Sequence, residues 1–362
     1  MVTRRLRVGV LCGGASAERQ ISLATGAEIA AGLSADRYDV VLLDPLALMA
    51  DNPALGAERR ALAVRLRGGV AGEPLPERDR ALPAAIRDSM ERAALRLVAA
   101  TGALGITGAE RIDVAFMALH GPWGEDGRLQ GLLETLGIPH TGSGVLAAAL
   151  AMDKTMAKTV LSSAGLTVPR GVEVTRAMRA EGGWRAAVHY PAVVKPVRQG
   201  SSLGLSVVPD PDGLEVALEA AFEHDDRVLV EERIIGTEVT CGVIGNDSLQ
   251  ALPLVEIVAN GPVFDYQAKY DPSASQEICP ARVAPAVAVA AQNAAIFAHR
   301  ALGCRGLSRV DLILREGRPI VLEVNTMPGM TANSLLPKAA RVAGLTFPAL
   351  LDRLVQWALE AG

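Results

Sequence analysis

The sequence predicts an α/β fold that opens on a parallel sheet and closes on an antiparallel hairpin. Three observations carry this. A short apolar run, Arg7 to Leu11, is followed by a glycine turn, a helical stretch from Ile21 to Leu33 and a second apolar run, Val40 to Leu43. That is the β-α-β pattern of a buried parallel sheet. Helix-period and strand-period segments then alternate through the middle of the chain. Near the C-terminus, Ser308 to Asn325 has two apolar-alternating runs around Arg315-Glu316-Gly317-Arg318, the signature of a β-hairpin.

The elements follow in order. Ile112 to Leu119 reads as a buried strand ending at His120-Gly121, and Leu129 to Leu136 as a helix. Val145 to Gly165 reads as one helix with Met152-Asp153-Lys154 in its middle. Tyr190 to Lys195 and Leu205 to Val208 are strands joined by a loop rich in Gly and Ser, Gly200 to Gly204. Leu214 to Phe222 is a helix; Arg227 to Glu232 and Thr237 to Gly245 are strands; Pro285 to Leu302 is a helix. Ala81 to Ala100 is helix-compatible, Asp51 to Arg80 is irregular, and Phe264 to Tyr270 is a polar-aromatic loop. The ranges expected as domains are 1–146, 147–235 and 236–362.

Composition narrows the function. The chain has 362 residues, 50% of them hydrophobic, enough for a large core. A formal net charge of −4 and only 3% aromatic residues argue against nucleic-acid binding. Cys12, Cys241, Cys279 and Cys304 form no CxxC pair, which disfavours a zinc site or a disulfide framework. The apolar run after Thr3 to Arg7 is too short for a signal peptide, and no run reaches the length of a membrane span. The expectation is a cytoplasmic protein without a membrane or nucleic-acid partner.

The hairpin carries the most chemistry. Folded about Gly317, it sets Asp311 opposite Glu323 and Arg309 opposite Asn325, all on one face. Opposed carboxylates repel, and a cation between them removes that cost. Two carboxylates and an amide suit a hard ion, Mg²⁺ first. The pattern alone equally allows an ordinary hairpin with one solvated face. Beyond it, Thr331 and Asn333 are good N-cap types, so a helix is expected to begin near Asn333 or Ser334 and offer free N–H groups to an anion.

Other candidates are weaker alone. Gly200 to Gly204 is either a phosphate nest or a hairpin loop. Lys195 ends an apolar strand, where a lysine is costly to bury unless an anion meets it. Lys154 is either a second phosphate lysine or a surface lysine. Glu231 and Glu232, with Glu238 close by, suit a ribose or adenine amine, or a solvated strand end. His120 reads as a buried, hydrogen-bonded histidine or as a general base.

Taken in order, these pieces resemble the D-alanine–D-alanine ligases of the ATP-grasp superfamily. The matching segments are Gly13-Gly-Ala-Ser-Ala-Glu18-Arg19, Leu119-His-Gly-Pro-Trp-Gly-Glu-Asp-Gly127, Thr141-Gly-Ser-Gly144, Met152-Asp-Lys154, Val194-Lys-Pro196, Gly200-Ser-Ser202, Asp265-Tyr-Gln-Ala-Lys-Tyr270, Cys279-Pro-Ala281, Arg309-Val-Asp311 and Leu322-Glu-Val-Asn-Thr-Met-Pro-Gly-Met-Thr331. The resemblance implies a three-domain ATP-grasp fold that joins two D-alanines with ATP, through an acyl phosphate, for peptidoglycan precursors. It implies that Lys154, Lys195, Lys269, Gly200, Ser202, Glu231, Glu232, Ile234 and Glu238 bind ATP. Asp311, Glu323 and Asn325 would hold two Mg²⁺, with Mn²⁺ as a substitute. Glu18 would hold the first D-alanine's ammonium near Ser201 and Tyr270, with His120 close by. Arg309 and the Gly329 amide would stabilise the oxyanion, and Ser334 and the Leu335 amide would hold the second D-alanine's carboxylate. A homodimer is also implied. The sequence departs from the family pattern at Arg233, where an aromatic residue is usual, and at Gln267 and Gln20, where Glu is frequent. Residues 51–111 match no part of it. The rival readings are an ATP-grasp ligase for other amino acids and a non-catalytic nucleotide-binding regulator.

Overall fold

The computed structural model describes residues 4–14, 16, 18–45, 111–200, 203–259 and 275–360. The expected helix at 81–100, the irregular stretch 51–80 and the loop 264–270 lie outside these residues.

The chain forms two compact units. The first comprises residues 1–145, 329–337 and 345–362. Its sheet has β1 (Leu6–Leu11) between β2 (Tyr38–Leu43) and β3 (Val114–Met117), all parallel. β3 is buried at every position, as a strand covered on both faces must be. Helix α1 (Arg19–Gly32) packs its Ile29 inward, α2 (Arg128–Thr135) follows β3, and α9 (Phe347–Glu360) also belongs to this unit. Tyr38 of β2 shares its hydroxyl with Asp352 and Gln356 of α9, which ties the C-terminal helix to the first sheet. The C-terminal stretch thus folds back on the opening sheet, a long-range pairing that no local pattern encodes.

The second unit comprises residues 146–328 and 338–344. It begins with α3 (Val145–Met152) and α4 (Lys154–Ser163). The sequence suggests one helix here; the structure has two. Asp153 breaks it by leaving helical geometry and accepting a hydrogen bond from the Met156 N–H at 3.1 Å, which makes it the N-cap of α4. The Asp153 carboxylate also pairs with Arg227 at 2.5 Å.

A four-stranded antiparallel sheet has the order β4-β7-β5-β6, from β4 (Gly171–Thr175), β5 (Ala192–Pro196), β6 (Ser206–Val208) and β7 (Arg227–Glu232). The short α5 (Arg176–Glu181) follows β4, and α6 (Leu214–Phe222) packs Leu214, Leu218 and Phe222 on the sheet. A larger antiparallel sheet runs β11-β10-β8-β12-β13, with β9 (Gln250–Ala251) beside β8. Its strands are β8 (Thr237–Gly245), β10 (Val255–Ala259), β11 (Ser275–Ile278), β12 (Gly306–Arg315) and β13 (Arg318–Asn325). Helix α7 (Pro285–Ala301) covers one face, and Val239, Cys241, Val310, Leu312, Ala295 and Leu302 form the core between them. Fully burying a side chain such as Leu312 contributes about 2 kcal/mol. Helix α8 (Leu335–Val342), whose residues are divided between the two units, starts just after the expected cap residues. All four cysteines are free, with Cys12 and Cys241 buried. Among the described residues, no helix is long and apolar enough to cross a membrane.

One buried group gives the fold a measurable pH dependence. His299 of α7 is fully buried, with Nδ1 2.7 Å from the Ser308 hydroxyl of β12. Burial pushes its pKa from 6.5 down to about 4. The unfolded chain therefore binds a proton here between about pH 6.5 and 4 that the folded chain refuses. The stability from a neutral His299 is fully present above pH 6.5 and is lost as pH falls toward 4. We predict that acidification from pH 7 to 4.5 destabilises the wild type more than His299→Gln, by about 2–3 kcal/mol. Urea unfolding at both pH values measures it; equal pH slopes in the two proteins would refute it.

Candidate functional site

The hairpin β12/β13 places Arg309 opposite Asn325 and Asp311 opposite Glu323. The route to that register differs from a fold centred on Gly317. The turn has two residues, Glu316 and Gly317, both at positive φ, and Arg315 pairs with Arg318. This is the tight turn whose twist matches that of the strands, and its left-handed positions favour Gly. Continued regularly, that turn would put Leu322 opposite Asp311. Instead the pairing jumps from Leu312↔Val321 to Asp311↔Glu323. Leu322 is the extra residue of a β-bulge, and the bulge brings Glu323 into place.

The Asp311 carboxylate accepts two hydrogen bonds from Arg309, at 2.9 and 2.7 Å, one from Asn325 Nδ2 at 3.0 Å and one from the Thr240 hydroxyl at 2.6 Å. Thr240 sits on β8 directly beside Asp311, fully buried. The sequence offered little to single it out: a small polar residue within an apolar strand. Asp311, Glu323 and Asn325 present two carboxylates and an amide on adjacent strands. This oxygen donor set suits Mg²⁺, which takes one or two carboxylates and leaves positions for substrate oxygens.

A buried charge cluster lies in the same unit. Glu231 at the end of β7 is 4% exposed. Its Oε1 is 2.5 Å from Lys195 Nζ of β5, and its Oε2 is 3.0 Å from Lys158 Nζ of α4, close enough for an ion pair though off the line of a hydrogen bond. Burial works against all three charges. For Glu231 the two ammonium groups outweigh it and hold the carboxyl below its usual range. For Lys195 burial is likewise outweighed, by Glu231 and Glu323, and the pKa stays raised. For Lys158 burial wins, with Lys195 adding to it, and the pKa falls to about 8. Glu323 acts on both lysines, so the metal-suited hairpin and the lysine cluster form one electrostatic system.

Lys158 was not among the residues the sequence singles out. Its signal was the spacing Lys154…Lys158, one helical turn apart on one face. Lys154 sits at the start of α4, and its Nζ donates to the Gln199 carbonyl at 2.7 Å, beside Gly200. The structure thus brings Lys154 to that loop and Lys195 to Glu231. Glu232 turns to the other face of β7, where its carboxylate accepts from the Arg170 N–H at 3.0 Å. Ile234 is buried, Arg233 donates its backbone N–H to Pro191, and Glu238 lies on β8 opposite Ile313. Ser201, Ser202, Lys269 and Tyr270 lie outside the described residues.

The remaining candidates gather in the first unit. Glu18 precedes α1, and the glycine loop after β3 passes its carboxylate so closely that a Cβ on Gly121 would sit 3.1 Å from Oε2. His120 is buried, with Nε2 3.4 Å from the Thr25 hydroxyl. Arg19 is also buried; it donates to the Gly14 carbonyl at 2.8 Å and pairs with Asp44 at 2.6 Å, fixing the first glycine turn. Gly13, Gly14, Ser16, Leu119, His120 and Trp123 line a cavity of about 40 Å³. In the C-terminal part of this unit, Ser334 Oγ accepts from the Thr331 N–H at 3.2 Å, lies 2.8 Å from the Thr331 hydroxyl and packs over Gly329. The Ala332 N–H donates to Glu28 of α1 at 2.6 Å, which anchors the segment.

Comparison with known proteins points to one family. Residues 7–143 match the family model described as D-ala D-ala ligase N-terminus, and residues 160–356 match D-ala D-ala ligase C-terminus. The chain is 42% identical to the D-alanine–D-alanine ligase of Syntrophobacter fumaroxidans, over 99% of this chain and 100% of the relative. It is 41% identical to that of Desulforamulus reducens, over 98% and 99%. Among solved structures, the D-alanine–D-alanine ligase of Bacillus anthracis complexed with ATP matches with a TM-score of 0.73 and 30% identity, over 98% of both chains. The VanG D-Ala:D-Ser ligase of Enterococcus faecalis matches with a TM-score of 0.77 and 31% identity, over 98% of this chain and 100% of its own. With both family models laid along nearly its whole length, the chain belongs to the D-alanine–D-alanine ligase family.

Proposed function

We propose that this protein joins two D-alanine molecules to D-alanyl-D-alanine at the expense of ATP, for peptidoglycan precursor synthesis in the cytoplasm. The observation that carries this reading is the bulged hairpin that sets Asp311 against Glu323, within the field of Lys158 and Lys195. A carboxylate is a poor electrophile. Transfer of the γ-phosphoryl group from ATP to the first D-alanine's carboxylate gives an acyl phosphate and ADP. The second D-alanine's amine then attacks the acyl carbon, the amide forms, and phosphate leaves with the C–O electron pair.

In this reading Lys154 and Lys195 hold phosphate oxygens, Gly200 and Ser202 close over them, and Glu231, Glu232, Ile234, Glu238 and Lys269 complete the nucleotide site. Asp311, Glu323 and Asn325 hold two Mg²⁺, for which Mn²⁺ substitutes; the ions supply charge neutralisation at the transferring phosphoryl group. Glu18 binds the first D-alanine's ammonium, with Ser201, Tyr270 and His120 around it. Arg309 and the Gly329 amide donate to the tetrahedral oxygen. Ser334 and the Leu335 amide take the second D-alanine's carboxylate. The homodimer belongs to the same reading. A second reading, a ligase that takes D-serine second, is favoured by the likeness to the D-Ala:D-Ser ligase. Phosphate release from ATP across a panel of D- and L-amino acids, with product masses, separates them; no release with D-alanine would defeat the first.

We predict that Glu323→Ala lowers turnover at least ~100-fold while far-UV circular dichroism is unchanged, because a phosphoryl-transfer metal site loses a ligand. Near-normal turnover by the folded variant would sink the metal assignment. Offered equal D-alanine and D-lactate at pH 7, the wild type should release mainly the dipeptide. Both substrates carry a carboxylate, and Tyr270, unlike a protonated histidine, adds no positive charge to disfavour the ammonium form of D-alanine. A majority of depsipeptide would show that this position does not set the choice.

A further inference from the structure

We propose that Lys158 is a positioning residue: by holding the β-bulge at Leu322 it keeps Glu323 aimed at Asp311. The inference rests on the ligase reading above and assigns a role to a residue that reading leaves unused.

The bulge is what makes the hairpin functional. If Leu322 were absorbed into a regular ladder, Asp311 would face Leu322, and strand alternation would send the Glu323 carboxylate to the opposite face. A bulged residue leaves the ladder, so its backbone groups need other partners. The Leu322 carbonyl receives one from Lys158, whose Nζ donates to it at 3.0 Å. The neighbouring Val321 N–H donates to the Thr167 carbonyl at 2.9 Å, so two successive backbone groups at this point are fastened.

A lysine in that place is costly. Lys158 is 8% exposed, and a neutral donor would bear a much smaller desolvation penalty than an ammonium. The charge is held by Glu231 Oε2 at 3.0 Å, while Glu231 Oε1 holds Lys195 at 2.5 Å. One ammonium therefore joins α4, β7 and the bulge of β13, and the carboxylate that anchors it also fixes Lys195. Displacing Lys158 loosens the bulge that places Glu323 and removes one of the two partners that hold Glu231. A lysine serving only as a packing staple would affect stability alone.

The test uses the full chain carrying Lys158→Met. Two quantities are read: hydrogen exchange of residues 318–326, and affinity for Mn²⁺ in the presence of ADP, by calorimetry. We expect exchange at 320–325 to quicken about tenfold and Mn²⁺ affinity to fall about tenfold, the scale on which residues that orient metal ligands act. If the Met variant does not fold, Lys158→Ala, which also lacks a donor for the Leu322 carbonyl, takes its place with the same readouts. A folded variant with wild-type exchange at 320–325 and wild-type Mn²⁺ affinity would overturn the proposal, even with a lowered Tm. A wild type that forms no D-alanyl-D-alanine would defeat the ligase reading, while the exchange measurement would still decide the role of Lys158.

Discussion

One carboxylate buried between two ammonium groups organises the second unit. Glu231 is surrounded by protein, and an isolated charge there would cost several kcal/mol. Lys195 and Lys158 offset that cost from two different elements, β5 and α4. Glu231 in turn favours the charged form of both lysines against burial, with Glu323 adding to it. Removing Glu231 would strand two positive charges, a loss of the order of 3–5 kcal/mol. The cluster is therefore strongly constrained in geometry, and it carries two positive charges against one negative. A net positive, rigid cluster is suited to meeting phosphate oxygens, because its dipoles and charges need not reorganise when an anion arrives.

The hairpin shows how backbone irregularity serves a site. A two-residue turn is the best match to strand twist, yet that turn alone gives the wrong register. The bulge at Leu322 corrects it by one residue. What remains is a pair of opposed carboxylates, a repulsive arrangement that an apolar fold would avoid. In the structure Arg309 and Asn325 meet Asp311, so the strand pairing survives while the oxygen donors remain gathered. The first unit uses a related device. There Arg19, paired with Asp44, pins the Gly13-Gly14 turn, and Gly121 lets the loop after β3 pass close to Glu18.

Much was legible in the sequence, for physical reasons that can be named. Strand and helix periods found β1, α1, β2, β7, β8, α7, β12 and β13, since each buries one face or both. The pairing of Asp311 with Glu323 followed from alternation plus a turn signal, although the centre of the turn was off by half a residue and the bulge made up the difference. The continuous helix expected at 145–165 failed because Asp153 caps a new helix instead of continuing the old one. Periodicity cannot see a cap when the residues on both sides are equally good helix formers.

The amino-acid sequence by itself determined the alternation of elements, the family and the set of chemical groups, because these depend on local periodicity and on residue types in a fixed order. Only the tertiary structure decided which charges share a partner. Lys158 reads as one more lysine on an amphipathic helix, and Thr240 as a polar residue in an apolar strand. Their meaning comes from β7, β12 and β13, which fold against them across 71 residues of chain for Thr240 and Asp311, and 164 for Lys158 and Leu322. Contacts at such separations are set by packing and register, and no local pattern in the chain records them.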